Sequence, residues 1–581
     1  MPKKLSARDW LKRIDRSKKY RDQIKDKQEW SDILDCYKGD YKTKGNPIKS
    51  PPINIVYGYV QTGIARIYFR DPHISVNPVG AEFLNSARIK ELQVNQDFKE
   101  LGLKNQAERV LIDTFLIGHG WIKVGYHSEI GEKTGESPNE KSEYIKKEGI
   151  FAEFVPWEDV LFDIVLCKDP PHDCGWIAHR IVRPIEEIKN SSKYKHTDKL
   201  KANVTEKDYR GEKVDETMKD QESELVEFWE IWDMENKKII CVVQESDDFI
   251  REEDNKLEMT GSPFSMLKFN LVSGEPYPMS DIFIIKPQIL ERIKLRAGML
   301  NHIKRWSRQL SIEKGAMTKE EMEKFEQGQD GAVTQREKGF APPVAIEYAN
   351  LQGEIFGLDD LIQKDMDAVI GQTQVDRGGQ APQEAHGKKL KYELQQEQSA
   401  SQGRQGKRQD RLEDFLEEVA DKIIALRQQF QDTPKYVPLE GMKPEEISTQ
   451  FPGLESDGMG VSYTKQNLQG KHTVDAKVGS TLPMNRENRI KIIEALLQQG
   501  PAVGIVPGSP VSFELGKELI RELDLKGVEK AYEQQIQMME QQAQNPQPPP
   551  QPQAPPTNIQ HHVNYQAPAG ALPPGLSHPM G

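Results

Sequence analysis

The chain contains few cysteines and no long apolar segment. Cys36, Cys167, Cys174 and Cys241 are its four cysteines in 581 residues, too few and too scattered for a disulfide framework. This favours a reducing compartment. The amino terminus lacks an apolar segment of the signal-peptide type, and no window approaches about 18 consecutive apolar residues. We therefore expect an unexported, soluble protein with no membrane contact.

The chain also lacks an excess of basic residues. It has 79 lysines and arginines against 91 acidic residues, a net charge of -12. Such a balance argues against a protein that coats nucleic acid through its bulk charge. Any contact with DNA must therefore be local.

The common catalytic motifs are missing too. Near Gly387, which precedes Lys388, the glycine spacing is wrong for a phosphate-binding loop, and Lys389 stands where serine or threonine is required. Neither G-x-S-x-G nor H-E-x-x-H occurs. The segment 167–174, CKDPPHDC, matches no tetrahedral zinc spacing, and its two prolines favour a loop between strands. We expect no enzyme activity, no metal and no cofactor.

The first half of the sequence indicates an α+β body. Residues 1–50 mix aromatic and aliphatic residues with dense charge, which predicts surface helices with one apolar stripe; a basic solvated arm is the alternative. Residues 51–126 alternate helix and strand patterns. Between 150 and 275, aromatic and β-branched residues indicate strands.

At residue 281 the pattern changes to a helix that extends to about residue 310. Leu290, Ile293, Ala297 and Leu300 form a narrow apolar stripe, and Pro287 suits a first turn. The helix carries a basic face made of Arg292, Lys294, Arg296, Lys304, Arg305 and Arg308. Because a lone helix with so narrow an apolar face gains little by itself, residues 287–431 are expected to bury their stripes between neighbouring subunits.

Residues 311–356 read as a compact excursion, and 357–374 as a second helix. The excursion contains an acidic helix after Thr318, a glycine turn, and strands around Val333 and Val344. The segment after the second helix, TQVDRGGQAPQEAHGKK at 373–389, is charged and rich in glycine. It predicts a flexible loop between two helices.

A long helix is predicted at 388–432. Its second half is amphipathic, and Gly403 and Gly406 predict a kink between the halves. Strands follow at 433–487 and helices at 488–540. The tail at 541–581 contains no charged residue and 11 of the 37 prolines, which predicts disorder.

This order of parts resembles the portal protein family of tailed double-stranded DNA bacteriophages. Individual segments are also similar to that family, among them FLIGHGWIKVGY, FVPWEDVLFD with WIAHR, PYPMSDIFIIKPQILERIKLRAGMLNHIKR, GLDDLIQKDMDAVIGQTQVDRGG and KVGSTLPMNRENRIKII. The resemblance spans about residues 50 to 535. The N-terminal arm and the tail lie outside it.

The resemblance implies a mixed α/β wing at 51–280, a stem helix at 281–310, a small α/β clip at 311–356 and a second stem helix at 357–374. It further implies a tunnel loop at 375–387, a long kinked wing helix at 388–432, wing return strands at 433–487 and a helical crown at 488–540. About twelve copies would form a homo-oligomeric ring at one capsid vertex of the virion, after assembly in the host cytoplasm. Double-stranded DNA would pass through it without sequence preference. The expected partners are the terminase large subunit, a tail adaptor, and the major capsid and scaffolding proteins.

The resemblance also assigns roles to particular residues. The DNA-facing side chains of the tunnel loop would be Asp376, Arg377, Gln380, Gln383, Glu384, Lys388 and Lys389, with Gly378, Gly379 and Gly387 as hinges. Glu320, Glu321 and Glu323 would bind partners at the clip, and Phe415, Val419 and Ile423 would pack between subunits. The basic stem face would meet DNA or the capsid, or be solvated without a partner.

Three alternatives stay open from the sequence. An ordinary disordered connector is the alternative for the loop at 375–387. The whole chain is compatible with another head–tail adaptor or tail structural protein. A non-catalytic DNA-packaging subunit that dimerises through the apolar stripe at 411–430 is the third alternative.

Overall fold

The computed structural model describes residues 5–43, 46–47, 53–68, 72–134, 141–204, 224–244, 246–306, 310–327, 335, 337–341, 344–345, 354–370, 388–431, 434–439, 447, 451, 454–457 and 459–476, with single residues at 498, 512, 515, 516 and 519. The chain divides into two compact units, Met1–Pro483 and Met484–Gly581. All elements below belong to the first. The predicted crown is described only at those five single residues, and the predicted tail at 541–581 lies outside the described residues.

Two helices open the chain, α1 (Ala7–Lys27) and α2 (Trp30–Lys38). Ser6 caps α1 together with Asp9 in a reciprocal capping box. Trp10 and Ile14 are buried against one sheet of the body, while Trp30 is completely buried in the main core. The prediction of apolar-striped helices is therefore confirmed. The separate arm at 1–50 is corrected, because both helices are built into the body.

The body continues with α3 (Ile55–Ile67), β3 (Ile74–Pro78), α4 (Leu84–Glu100), α5 (Leu103–Ile117), β4 (His119–Thr134), β5 (Lys141–Val155), β6 (Val160–Phe162), β7 (Trp176–Pro184), α6 (Ile185–Asn190), β8 (Leu225–Asp233), β9 (Lys238–Val243), β10 (Arg251–Asp254) and β11 (Phe264–Lys268). Before α3, the short strands β1 (Lys42–Thr43) and β2 (Asn46–Pro47) pair with each other. The helix-to-strand alternation and the later run of strands were both predicted from the sequence.

Two antiparallel sheets organise this body. One has the strand order β10-β9-β8-β7-β6, and the other has the order β11-β4-β5. Between α5 and β4, Gly118 has a φ of 105°, and a Cβ atom there would lie 2.9 Å from the backbone of Met279. This glycine allows the helix to turn directly into the strand.

The rest of the described chain comprises α7 (Asp281–Trp306), β12 (Leu310–Ser311), α8 (Lys319–Gln327), β13 (Val344–Ala345), α9 (Glu354–Ile370), α10 (Lys388–Phe430), β14 (Lys435–Pro438), β15 (Glu455–Ser456), β16 (Gly460–Tyr463) and β17 (His472–Ala476). The fold class is α+β. Within the described residues, no helix combines the length and the apolar character needed to cross a membrane.

The chain leaves the body and later rejoins it. After α7, β12 pairs with β13, and α9 packs back along α7. Then α10 lies against β4, β5 and β11, and β17 completes the return by pairing antiparallel with β3, with Val474 opposite Val76. The body is thus assembled from two distant parts of the sequence, and the segment around α7 to α9 is inserted between them.

The second half of α10 forms part of the body's core. Phe415, Val419 and Ile423 are at most 3% exposed within a single chain. The ring of Phe430 stacks on Tyr126 of β4, with 4.0 Å between their centroids. The role predicted for the first three residues is therefore corrected: they fill the core of their own chain and leave no surface for a neighbouring subunit.

Candidate nucleic-acid interface at the helical hairpin

The pair of helices α7 and α9 forms a hairpin that is fixed to the body at the start of α7. Ser280 is buried, and its hydroxyl accepts a hydrogen bond of 2.9 Å from the backbone N–H of Phe283. Asp281 follows in the first turn, where a negative charge suits the helix dipole. Because the helix begins at Asp281, Pro287 lies inside it; the prediction that this proline occupies the first turn was wrong.

The two helices of the hairpin are joined by an ion pair. Arg292 donates hydrogen bonds of 2.9 Å and 3.1 Å to the two carboxylate oxygens of Asp359, and another to Gln363. Its side chain is only 16% exposed. Arg292 therefore links α7 to α9. The prediction that it belongs to an open basic face is corrected.

The other residues of the predicted basic face have different positions. Lys294 is exposed, and Arg296 is half-buried with its Nε atom 4.0 Å from Asp359. Lys304 and Arg305 belong to the last turn of α7, but their side chains are not among those described. Arg308 lies outside the described residues. Of the six predicted cations, only Lys294 is shown as an exposed side chain.

The outer surface of α9 presents apolar side chains to solvent. Leu358 is 39% exposed, Leu361 is 54% exposed and Val369 is 44% exposed. On the adjoining face, Ile362, Met366 and Ile370 are buried in the core. The apolar surface of α9 is therefore wider than the part that the core covers, which is unusual for a helix at the surface of an isolated chain. The hairpin therefore has a surface that suits contact with another protein.

The excursion between α7 and α9 contains the predicted acidic helix, α8. Glu320 and Glu323 are exposed. Glu321 is half-buried and accepts a 3.1 Å hydrogen bond from the backbone N–H of Gln335. The predicted strand at Val344 is present in β13, whereas Val333 lies outside the described residues. Glu321 thus has a structural contact that its two neighbours are not shown to make.

The predicted tunnel loop cannot be placed on this hairpin residue by residue. The segment 375–387, with its hinge glycines, lies outside the described residues. Lys388 and Lys389 are the first two residues of α10, although their side chains are not described. From there α10 is helical without interruption through Gly403 and Gly406.

A cleft of about 390 Å³ opens at the base of the hairpin. Its walls include Leu271 from the connection before α7, Val369 from the end of α9, and a group of basic residues on α10, Lys407, Arg408 and Arg411. Sequence reasoning missed this site, although the spacing of the three cations within two helical turns was visible. The sequence could not show that three other segments, at 269–271, 281–284 and 369–370, line the cleft together with these cations.

The charges in the cleft are unequally paired. Arg408 lies 3.0 Å from Asp281, and both side chains are at most 13% exposed. Lys407 is exposed and Arg411 is half-buried. Among the described residues, no acid lies within 4.0 Å of either of these two cations. Within the described part of the chain, the cleft therefore keeps two positive charges without an acidic partner, which could meet an anion.

A second charged cluster is buried between the two sheets of the body. Lys123 on β4 donates to Glu230 on β8, which also accepts a 3.0 Å hydrogen bond from the indole N–H of Trp232. Burial alone would raise the pKa of Glu230, but Lys123 outweighs it and lowers that pKa to about 2. Burial, aided by Lys123, lowers the pKa of His179 to about 3. This cluster is mutually satisfied and holds the sheets together.

The cysteine-containing loop was predicted as a connector, and it does join β6 to β7. Cys167 and Cys174 form a disulfide, while Cys36 and Cys241 are buried and form no disulfide. This pair departs from the expectation of a reducing compartment. A carboxylate oxygen of Asp173 lies within 4.8 Å of both sulfur atoms, a spacing at which the three side chains could hold a metal ion. Because the sulfurs are bonded to each other, however, neither is a thiolate that could bind a metal.

No model of a known protein family matches this chain, and no curated protein matches it. The geometry of the hairpin, the cleft and the long helix is therefore the basis for any functional conclusion.

Proposed function

We propose that this chain is a portal protein of a tailed double-stranded DNA bacteriophage. About twelve copies form a ring at one capsid vertex, DNA passes through the ring during packaging and ejection, and the chain itself performs no catalysis. The ring belongs to the virion and is assembled in the host cytoplasm. The terminase large subunit and later a tail adaptor dock on it, and the major capsid and scaffolding proteins surround it.

The observation that carries this proposal is the insertion of the hairpin into the body. The chain leaves through α7, returns through α9, and re-enters the core with α10, after which β17 pairs with β3 almost 400 residues earlier. A portal subunit needs such an arrangement: a wing made of two chain parts, with stem and clip inserted between them. A linear series of domains would not pair β3 with β17.

The exposed apolar residues of α9 support a ring of subunits. In the proposed ring, Leu361 and Leu358 of one copy pack against the hairpin of the next copy. Such a contact joins two different surfaces, and contacts of that kind close into rings when the rotation between copies allows it. This surface takes over the packing role that the sequence had assigned to the buried residues of α10.

Electron microscopy of the purified full-length protein tests the proposal. We expect closed rings with an axial hole. Exclusively monomers or dimers, seen also by native mass spectrometry over a range of salt concentrations, would contradict it.

The variant Leu361→Asp sharpens this test, because a charge on an exposed position disturbs a contact without disturbing the fold. We expect circular dichroism to be unchanged and ring yield to fall. Leu166→Asp is the matched control, since Leu166 is 61% exposed and belongs to the connection between β6 and β7, outside the hairpin. Equal ring yields for the two variants would exclude α9 as the contact.

The acidic helix α8 is the proposed docking site for basic surfaces of terminase and the tail adaptor. The appropriate variant is Glu320→Ala with Glu323→Ala, which leaves the structural contact of Glu321 intact. Its control is Glu186→Ala with Glu187→Ala, two exposed acids on α6. Pull-down of both partners should weaken for the α8 variant only. Unchanged binding would remove α8 as the contact.

A further inference from the structure

We propose that the cleft at the base of the hairpin binds a phosphate group through Lys407 and Arg411, and that the phosphate belongs to the backbone of DNA. The identity of the ligand as DNA rests on the proposed function. The cleft and its charges stand on the geometry alone. None of these residues was among the DNA-facing residues predicted from the sequence.

The first argument is the surplus of positive charge. Arg408 is neutralised by Asp281, which also accepts a 2.6 Å hydrogen bond from the amide of Asn270. Lys407 and Arg411 have no such acid among the described residues. They are four residues apart, so they lie on the same face of α10 about 6 Å from each other along its axis. Two neighbouring cations at this distance can share one phosphate group.

The second argument is the wall of the cleft. Leu271 and Val369, 52% and 44% exposed, stand beside the two cations. Apolar walls reduce the local polarisability, which strengthens the attraction between a cation and an anion relative to open water. The guanidinium of Arg411 offers paired donors that fit two phosphate oxygens, and the ammonium of Lys407 adds a point charge.

The third argument concerns the source of the phosphate. The cleft contains Ile370, the last residue of α9, which in the sequence is five residues before the start of the segment proposed to meet DNA, 375–387. From residue 388 to residue 411, α10 carries seven basic and three acidic residues, although the whole chain is acidic. A local basic region on an acidic protein suits a polyanion that must be held weakly and released. A small free anion would not need this extended charge.

The test compares the full-length protein with the variant Lys407→Gln/Arg411→Gln. The control, Lys189→Gln/Lys193→Gln, removes two exposed lysines on and after α6 and so loses the same charge. Binding of a fluorescein-labelled duplex is followed by anisotropy at increasing salt. If both cations contact phosphate, the slope of log K against log salt should be shallower by about 1.8 for the cleft variant than for the wild type. Between about 50 and 200 mM salt, the wild type should therefore lose about twelvefold more duplex affinity than the cleft variant.

Calorimetry with inorganic phosphate, and electron microscopy of the same samples, separate the possible results. Weakened duplex and phosphate binding by the cleft variant, with rings intact, supports the proposal. Phosphate binding that depends on Lys407 and Arg411 without duplex binding supports the phosphate site and overturns DNA as its source. Intact rings whose duplex and phosphate binding match the control overturn the cleft proposal and leave the portal proposal standing. Absence of rings in the wild-type protein would instead contradict the portal proposal.

Discussion

The two halves of α10 differ in charge and in surroundings. From 388 to 411 the helix has seven basic against three acidic residues, whereas from 412 to 430 it has five acidic against two basic residues. The second half is the one with the regular apolar stripe, and Leu412, Val419 and Ile423 in it are completely buried. In this one continuous helix, the second half thus belongs to the core, and the last residues of the first half line the basic cleft. Both halves are helical, and charge and packing separate their roles.

The largest effect is expected from a charge in the buried half. Val419→Asp places a carboxylate at a position that is 0% exposed, without a partner, and should reduce the free energy of unfolding by more than about 4 kcal/mol. Urea unfolding followed by circular dichroism measures this. Lys407→Asp, in the exposed cleft, is the matched substitution and should change stability by less than about 0.5 kcal/mol. Similar losses of unfolding free energy for the two variants would contradict the conclusion that only the second half of α10 is part of the core.

Two arginines of the same helix offer a second comparison. Arg427 donates hydrogen bonds of 2.7 Å and 3.1 Å to Asp97, which is fully buried, whereas Arg411 has no described acidic partner. Arg427→Met should cost about 3 to 5 kcal/mol, because it leaves the carboxylate of Asp97 buried with Lys435 as its one remaining cation among the described residues. Arg411→Met should be nearly neutral in urea unfolding.

Adding Asp97→Asn to Arg427→Met removes the buried charge as well. The double variant should therefore regain much of the lost stability. If the double variant is as unstable as the sum of the two single ones, the pair makes no specific interaction and this explanation fails.

Acid should weaken the body through its buried histidines. His119 is completely buried among aromatic rings, which lowers its pKa to about 3 from 6.5. Below about pH 6.5 the imidazole of His119 is protonated in the unfolded chain, whereas in the folded chain it stays neutral down to about pH 3. Stability is therefore lost as pH falls through this window, by about 1.4 kcal/mol per pH unit for one histidine.

The variant His119→Phe keeps an aromatic ring and removes this proton. Its unfolding free energy should fall less steeply than that of the wild type between about pH 6 and pH 4, by about 1.4 kcal/mol per pH unit. His179, with a similarly low pKa, and Asp113, whose pKa burial raises to about 7, titrate in both proteins and cancel in the comparison. Parallel pH profiles would show that His119 is not protected from protonation.

The smallest effect on stability is expected at the start of α10. Lys388→Glu with Lys389→Glu, and separately Gly378→Pro with Gly379→Pro, should leave the unfolding free energy within about 0.5 kcal/mol and still allow rings. The first pair should impair packaging or retention of DNA of any sequence by reversing a charge that meets phosphates. The second should do so by stiffening the loop. Heads filled with full-length DNA by both variants would reduce the segment to a connector.

Local patterns were enough for most elements and for the order in which they occur. The alternating residues of β4 after the turn at Gly118, the hairpin of β8 and β9, and the amphipathic stripe of α10 each follow from neighbours in sequence. Pro287 was placed wrongly because the cap at Ser280 lies a full turn and more before it. A single serine is a weak signal of a helix start until its hydroxyl is seen to accept a hydrogen bond from a backbone N–H.

The sequence by itself determined that this protein is an α+β chain with a long helix, an inserted excursion and only local basic character, because these properties depend on spacing and composition along the chain. Only the tertiary structure decided which surfaces are buried. It showed that Phe415 belongs to the core and that Arg292 is paired with Asp359 on α9. It also placed Lys407 and Arg411 in a cleft, where neither has an acidic partner in the described part of the chain. The physical reason is that an apolar stripe or a cation is stabilised by a partner. The sequence shows which residues require one, but it does not show whether the partner belongs to the same chain.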